Sequence, residues 1–252
     1  MISNNSHTPF FKLIPSLVTL LALCVGLSAI KFALNNDWQK ATFFILFAAF
    51  LDGVDGRLAR FFDAESKMGA ELDSLADFVN FGFIPVFIVY LWLNQFSDVK
   101  FFDWGMVLLF SISMAIRLAR FNTKTKNGED EGVLEKYFFQ GIAAPASAGV
   151  TILPILFSYQ FGYETIFAKP AFVISYVCLI AILTSSTIPT ISIKKIPISN
   201  KYFYLILIIL VIVMIFLVTR PWITLLIVGG TYLLSIPFTA YCYWNLKRKL
   251  EK

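Results

Sequence analysis

Four aspartates stand close together in the chain, and their spacing is that of a metal site. Asp52 and Asp55 lie within about 60° of each other on a helix, because each residue turns an α-helix by about 100°. Asp73 and Asp77 are separated by one helical turn and share a face in the same way. Carboxylate oxygens are hard ligands that suit Mg²⁺, Mn²⁺ or Ca²⁺ rather than zinc. Paired divalent ions are the usual apparatus for attack on phosphorus, so these acids predict a metal site for phosphoryl chemistry.

The acids lie inside or beside long apolar runs, where a charge is costly. One charged residue at the centre of a membrane helix costs roughly 2.5–3.5 kcal/mol, so four uncompensated acids would cost on the order of 10 kcal/mol. A divalent cation would neutralise them. The alternative is a solvated loop cluster in which the acids pair with Arg57, Arg60 and Lys67. Because Gly56 and Ala59 share the helix face of the first two acids, we favour the metal site.

The composition is that of a polytopic helical membrane protein. Of the 252 residues, 58% are hydrophobic and only 15% are charged, and the mean hydropathy is +0.74. The net charge of +5 comes from basic residues that flank apolar segments, which indicates contact with anionic lipid rather than nucleic acid. The single histidine, His7, lies near the amino terminus, so an aspartate must carry out any proton transfer. The cysteines form no metal or redox motif.

Eight apolar segments are long enough to span a bilayer. We predict spans at 16–34, 38–60, 71–94, 101–122, 139–159, 170–189, 201–219 and 222–245. The chain then divides into an amino-terminal interfacial segment (1–15), a catalytic membrane core (16–190) and a two-helix membrane extension with a basic tail (191–252).

The basic residues predict the orientation of these spans. If the amino terminus is cytoplasmic, sixteen of the 21 lysines and arginines fall on the cytoplasmic side. The aspartates fall on that side too, so we expect a cell (inner) membrane protein whose site faces the cytoplasm. Arg117 and Arg120 lie at the same level on one helix face, and guanidinium groups there could bind an anion. The alternative is ordinary cytoplasmic flanking charge.

The acidic stretch resembles the signature of the CDP-alcohol phosphatidyltransferases, D-x2-D-G-x2-A-R-x8-G-x3-D-x3-D. Its fixed positions are all met, by Asp52, Asp55, Gly56, Ala59, Arg60, Gly69, Asp73 and Asp77. The resemblance implies an all-α transmembrane bundle with a six-helix core. It also implies cleavage of the pyrophosphate of a CDP-linked lipid, with transfer of the phosphatidyl group to an alcohol.

Within that family the chain is most similar to the members that make phosphatidylserine. The similarity is carried by Thr19-Leu20-Leu21 with Gly26, Asp73-Ser-Leu-Ala-Asp77, Phe81-Gly82-x-x-Pro85, Arg117-Leu-Ala-Arg120-Phe121-Asn122, Phe139-x-Gly141 and Pro145-Ala146. Ala22 and Ala143 stand where the family usually has Asn and Pro. The implied reaction transfers the phosphatidyl group of CDP-diacylglycerol to the hydroxyl of L-serine, giving phosphatidylserine and CMP. A homodimer in membrane lipid is also implied.

The resemblance, together with residue chemistry, gives each candidate residue a role. Asp52, Asp55 and Asp73 would hold one metal ion, and Asp77 would help to hold a second and act as general base. The expected cofactor is two ions of Mg²⁺ or Mn²⁺. The residues expected to bind the CDP-lipid are Gly53, Gly56, Ala59, Arg60 and Gly69. The residues expected to bind serine or phosphate are Arg117, Arg120, Asn122 and Asn80.

Two other functions are compatible with the sequence. The nearer one keeps the chemistry and changes the acceptor to glycerol 3-phosphate or inositol phosphate. The more distant one is a divalent-cation transporter, which predicts acids near the bilayer midplane and often an internal repeat. The chain shows no repeat, and its acids lie at the ends of spans.

Overall fold

The computed structural model describes residues 13–64, 66–95, 100–127, 138–191 and 200–250. Within those ranges nearly every residue is helical. The α-helices, in chain order, are α1 (Ile14–Leu34), α2 (Trp38–Phe61), α3 (Lys67–Asp77), α4 (Ile84–Leu93), α5 (Lys100–Asn127), α6 (Ala144–Thr151), α7 (Leu153–Phe161), α8 (Pro170–Ser185), α9 (Asn200–Thr219) and α10 (Pro221–Leu250). A π-helical turn, Phe78–Phe83, joins α3 to α4, and a 3₁₀ turn, Ile166–Ala168, precedes α8.

The predicted all-α membrane bundle is confirmed. In the described part of the chain, four helical stretches are long and apolar enough to cross a membrane. They are Ile14–Leu34, Lys67–Leu93, Phe102–Thr123 and Pro221–Arg248. Two further helices, Pro170–Ser185 and Tyr204–Thr219, are also apolar but shorter. Together with α2 and the α6–α7 pair, these helices overlap all eight predicted spans, although the bounds of the fifth and sixth differ.

Helices α1 and α2 form an antiparallel hairpin joined by a tight turn. Their buried residues lie at similar sequence distances before and after that turn. The turn is closed by the amide of Asp37, which donates to the carbonyl of Phe32 at 2.9 Å. The Asp37 carboxylate then caps α2 by accepting from the amide of Lys40 at 3.1 Å. The buried positions are Pro15, Thr19, Ala22, Gly26, Ala29 and Ala33 on α1, and Ala41, Thr42, Ile45, Ala48 and Asp55 on α2. Small side chains let the two helices approach closely, as membrane helices commonly do.

The third segment packs against this hairpin through its π-helical turn. Ser66 begins α3, because its hydroxyl accepts from the amide of Gly69 at 3.0 Å. In the π-helical turn Asn80 lies against Gly26, where a Cβ would come within 2.1 Å of the Asn80 Oδ1 atom. Only glycine permits this approach. The large buried side chains around the turn include Phe81, Ile84, Trp92, Phe110 and Met114.

The fifth predicted span is wrong at its start. Instead of a helix from residue 139, the chain forms strand β1 (Phe138–Gln140), which pairs antiparallel with β2 (Pro189–Ile191). Gly141 then turns with a φ of 72°, in a site where a Cβ would lie 2.6 Å from the carbonyl oxygen of Thr184. The helix begins only at Ala144, and Pro154 divides it into α6 and α7. The sixth span also ends early, at Ser185, because β2 follows.

The last two helices differ in their packing. Side chains 204–219 of α9 are all exposed, as expected for an apolar helix surrounded by lipid. Helix α10 instead lies against β2, α6 and α7 of the preceding core. The proposed boundary at residue 190 stays a prediction. The interfacial segment 1–15 lies outside the described residues except for its last three.

Candidate active site

Three of the predicted metal ligands meet between α2 and α3. One carboxylate oxygen from each of Asp52, Asp55 and Asp73 lies within 4.8 Å of the other two. Asp55 is only 3% exposed, and Asp52 is half-buried. The turn between the helices is short, so it folds α3 back and brings its acidic face to that of α2.

Asp77 adjoins this group from the end of α3. Its carboxyl group lies within hydrogen-bonding distance of that of Asp52. Two carboxyl groups approach so closely only when a proton or a cation lies between them, because like charges otherwise repel. The four predicted acids therefore come together as one cluster.

The cluster fits a divalent cation. None of the four acids forms an ion pair with a lysine or arginine in the part of the chain that the structure describes. The alternative of a salt-bridged loop cluster with Arg57, Arg60 and Lys67 is thus not what the structure contains. Ligand oxygens at opposite sides of a Mg²⁺ or Mn²⁺ ion lie about 4 Å apart, since each bond is about 2.1 Å. One oxygen from each of the three carboxylates lies within 4.8 Å of the other two, a spacing that is compatible with ligation of one such ion by all three.

The glycines of α2 leave an open surface beside the cluster. A Cβ built at Gly53 or at Gly56 would meet no atom within 4 Å. Gly69 instead faces Ser66 and Ser16, with a Cβ distance of 3.0 Å to the hydroxyl of Ser66. The exposed Arg60 donates from Nε to the carbonyl of Gly56 at 3.1 Å, which keeps the rest of its guanidinium group near the open surface. The remaining predicted lipid-binding residue, Ala59, is half-buried one position earlier.

Arg117 is a predicted anion-binding residue that lies beside the acidic cluster. It interacts electrostatically with Asp77, and within the described residues its buried Nε atom has no hydrogen-bond partner. Its other charged and polar neighbours are Arg120 and Tyr232. The Tyr232 hydroxyl lies within hydrogen-bonding reach of the Thr190 side chain and the backbone of Ala143. Through this tyrosine α10 contributes to the surroundings of the cluster.

Two further predicted anion-binding residues already have protein partners. Arg120 donates from Nη2 to the carbonyl of Ser185, at the end of α8. Asn122 donates from Nδ2 to the hydroxyl of Ser74 at 2.9 Å, which ties α5 to α3. Both contacts hold helices together near the cluster. Roles for these two side chains in binding serine or phosphate stay predictions.

Asn80 lies deeper than the acids. It is 1% exposed, and neither its Oδ1 nor its Nδ2 atom has a hydrogen-bond partner in the part of the chain that the structure describes. Its position in the π-helical turn agrees with the frequent occurrence of such turns at functional sites. Its Oδ1 atom faces Gly26 on α1, and a role in binding serine stays a prediction.

Sequence reasoning assigned no role at the site to Thr19 or Tyr232. Thr19 Oγ1 donates to Asp55 Oδ2 at 2.6 Å. The signal that could have found it is its distance from the α1–α2 turn, because Thr19 and Asp55 lie equally far before and after Asp37. No local pattern could have found Tyr232, since its neighbours are remote in sequence.

The model of the family described as CDP-alcohol phosphatidyltransferase matches residues 12–236. The chain therefore belongs to the CDP-alcohol phosphatidyltransferase family. Its aspartate cluster occupies the signature that first indicated this family, and the resemblance is confirmed.

Three similar proteins are each named CDP-diacylglycerol–serine O-phosphatidyltransferase. The one from Mycobacterium tuberculosis is 37% identical over 227 residues, which is 90% of this chain and 78% of that protein. The one from Helicobacter pylori is 34% identical over 224 residues, 88% of each chain. The one from Bacillus subtilis is 38% identical over 109 residues, 43% of this chain and 60% of that protein.

The chain is thus a transferase of phospholipid synthesis, built as a helical membrane protein. The family uses a divalent metal, and the acidic cluster of this chain is suited to one.

Proposed function

We propose that this protein transfers the phosphatidyl group of CDP-diacylglycerol to the hydroxyl of L-serine, giving phosphatidylserine and CMP. The observation that carries the proposal is the convergence of Asp52, Asp55 and Asp73 beside an open glycine surface. The choice of serine is supported by relatives named for that acceptor, which align with about nine-tenths of the chain.

Asp52, Asp55 and Asp73 would hold a divalent ion, with Asp77 contributing to a second, and Mg²⁺ and Mn²⁺ suit these oxygen ligands. Bound ions of this kind supply Lewis-acid stabilisation of charge on the pyrophosphate and on the departing CMP. The open surface at Gly53 and Gly56 admits the nucleotide against the backbone of α2. Arg60 lies at the margin of that surface and contacts a phosphate.

Asp77 acts as the general base in this proposal. It takes the proton of the serine hydroxyl as the serine oxygen bonds to the lipid phosphorus, and the bond from that phosphorus to CMP breaks. Because Arg117 lies beside Asp77, its guanidinium group can hold the serine carboxylate while the hydroxyl faces the base. The buried, unpaired Nε atom of Arg117 supports this role.

In this proposal the site faces the cytoplasmic side of the cell (inner) membrane, where serine and CDP-linked lipid are both accessible. That orientation is supported by the excess of basic residues on one side of the predicted spans. A homodimer is expected from the family resemblance. A cation transporter is disfavoured, because the similar proteins are transferases.

Purified protein in mixed micelles tests the proposal. CMP release is measured with CDP-diacylglycerol and Mn²⁺ or Mg²⁺, with serine, glycerol 3-phosphate or inositol phosphate as the acceptor. We expect release with serine, dependent on the metal. Release only with a phosphorylated acceptor would replace serine in the proposal, and release without any metal would remove the role of the acidic cluster.

A further inference from the structure

We infer that Thr19 is a positioning residue for the metal site, and that its hydroxyl fixes the orientation of the Asp55 carboxylate. This inference rests on the proposed function, because Asp55 is a proposed metal ligand. Thr19 lies on α1, which contributes no acid to the cluster. Its role extends the site from two helices to three.

The contact is short and buried. Thr19 Oγ1 and Asp55 Oδ2 are 2.6 Å apart, and the two residues are 5% and 3% exposed. Hydrogen bonds from a hydroxyl to a carboxylate measure about 2.5–2.7 Å and are roughly twice as strong as neutral ones. The low dielectric of the helix interface strengthens the contact further.

The hydroxyl has a second acceptor within reach, but it has only one proton. The carbonyl of Pro15 lies 3.1 Å from Thr19 Oγ1, one helical turn earlier on α1. The shorter distance and the charge of the carboxylate favour Asp55 over Pro15 as the acceptor of that proton. With Oδ2 engaged in this way, the other oxygen and the remaining lone pairs of Asp55 are left for a cation.

The hairpin makes the contact a consequence of the fold. The turn at Asp37 sets the register of α1 against α2, and the stripe of small residues between the helices holds it. Thr19 therefore meets Asp55 without any adjustment of the ligand helix. Outer hydrogen bonds that orient metal ligands typically change metal affinity or activity 10–100-fold when they are lost.

Three variants of the full-length protein test this role. T19V removes the hydroxyl and keeps the side-chain shape, whereas T19S keeps the hydroxyl. The matched control is T42V, because Thr42 is fully buried on α2 and its hydroxyl has no hydrogen-bond partner among the described residues. Mn²⁺ binding is measured directly by the electron paramagnetic resonance signal of unbound Mn²⁺, without substrates.

We expect T19V to weaken Mn²⁺ binding at least about 10-fold. T19S should remain within about 3-fold of the original protein, and T42V should bind normally. The Mn²⁺ concentration for half-maximal CMP release should shift by the same factor as binding. Normal Mn²⁺ affinity in T19V, or equal weakening in T42V, would overturn the inference.

The binding measurement separates this inference from the proposed reaction. If the protein binds Mn²⁺ and T19V weakens binding, but serine yields no CMP, the role of Thr19 stands and the acceptor is wrong. If serine yields CMP with unchanged metal dependence in T19V, the reaction stands and the role of Thr19 is refuted.

Discussion

The two ends of α2 both carry acids, but the acids are handled in opposite ways. At the amino-terminal end the Asp37 carboxylate lies 2.7 Å from Lys40 Nζ and also caps the helix. At the carboxy-terminal end Asp52 and Asp55 meet two further acids, and none of them pairs with a base in the described residues. The first arrangement is complete by itself, whereas the second requires a positive charge from outside the chain.

The comparison distinguishes a structural acid from a functional one. The protein itself neutralises the charge of the structural acid but leaves that of the functional acid for a ligand. Asp37 is partly exposed, so its charge costs little, and its partner Lys40 lies on the helix that it caps. Asp55 is buried and its hydrogen-bond donor, Thr19, is uncharged. Uncompensated buried acids are expensive, so a fold that gathers them needs a ligand to neutralise them.

The largest effect is expected from the Asp77→Asn substitution, in the acidic cluster at the carboxy-terminal end of α2. The amide cannot accept the serine proton, so CMP release should fall by about 10²–10⁴-fold. Binding of CDP-diacylglycerol should be largely retained, because the other three acids remain. Turnover with serine and a filter-binding assay with labelled CDP-lipid measure the two quantities.

Asp37→Asn is the matched control for that experiment, since it removes the charge of an acid at the other end of α2. Its activity should remain close to that of the original protein. If D77N released CMP at the normal rate, the assignment of Asp77 as base would be wrong. A loss in D37N as large as in D77N would erase the distinction between the two ends.

A smaller effect is expected from a Gly26→Ala substitution, in the stripe of small residues that packs α1 against α2 between the two ends. In Gly26→Ala the new methyl group would overlap Asn80 Oδ1, and Asn80 is buried too deeply to move away. Overpacking of this kind costs about 1–3 kcal/mol. We expect a lower thermal unfolding temperature in micelles, with weaker Mn²⁺ binding because the helix register is disturbed.

Gly230→Ala on α10 provides the control for G26A. A Cβ there meets nothing within 4 Å in the described part of the chain, so stability should be equal or slightly higher, because alanine favours the helix, and metal binding should be unchanged. Equal unfolding temperatures for G26A and the original protein would show that Asn80 is not held where the structure has it.

A modest effect is expected from Tyr232→Phe, which tests whether α10 contributes to the site at the carboxy-terminal end of α2. Without the hydroxyl, the contacts to Thr190 and Ala143 are lost, and Arg117 loses a polar neighbour. We expect the KM for serine to rise about 5-fold, equivalent to about 1 kcal/mol, the typical worth of one hydrogen bond. The kcat and the KM for CDP-diacylglycerol should change little.

The control for Y232F is Tyr241→Phe on the same helix, because Tyr241 is exposed. It should leave both KM values unchanged. A fall in kcat with an unaltered serine KM in Y232F would show that the tyrosine does not act through acceptor binding.

Periodicity and apolar length were enough to predict the helical segments and the meeting of Asp52, Asp55 and Asp73, because both depend on local spacing. The β1–β2 pair was missed, since strands of three residues carry no periodic signal and their pairing spans about fifty residues. The partners of Arg120 and Asn122 lie 65 and 48 residues away. Contacts of that kind arise from tertiary packing and leave no local signal in the sequence. Both side chains were therefore predicted to bind a ligand.

The smallest effect is expected from Asp37→Ala at the amino-terminal end of α2. The side-chain hydrogen bond to Lys40 and the cap on its amide lower the pKa of Asp37 below its usual range. A lowered pKa means that the carboxylate stabilises the folded state at neutral pH, and that this contribution is lost as the pH falls through the folded-state pKa. The substitution should lower the unfolding temperature by only about 2–4 °C at pH 7, and by less under acid conditions. Mn²⁺ binding should not change, because Asp37 is completed by the chain itself. If D37A lowered Mn²⁺ affinity as T19V is expected to, the cap would prove to set the register of the hairpin, and the two ends of α2 would be mechanically linked.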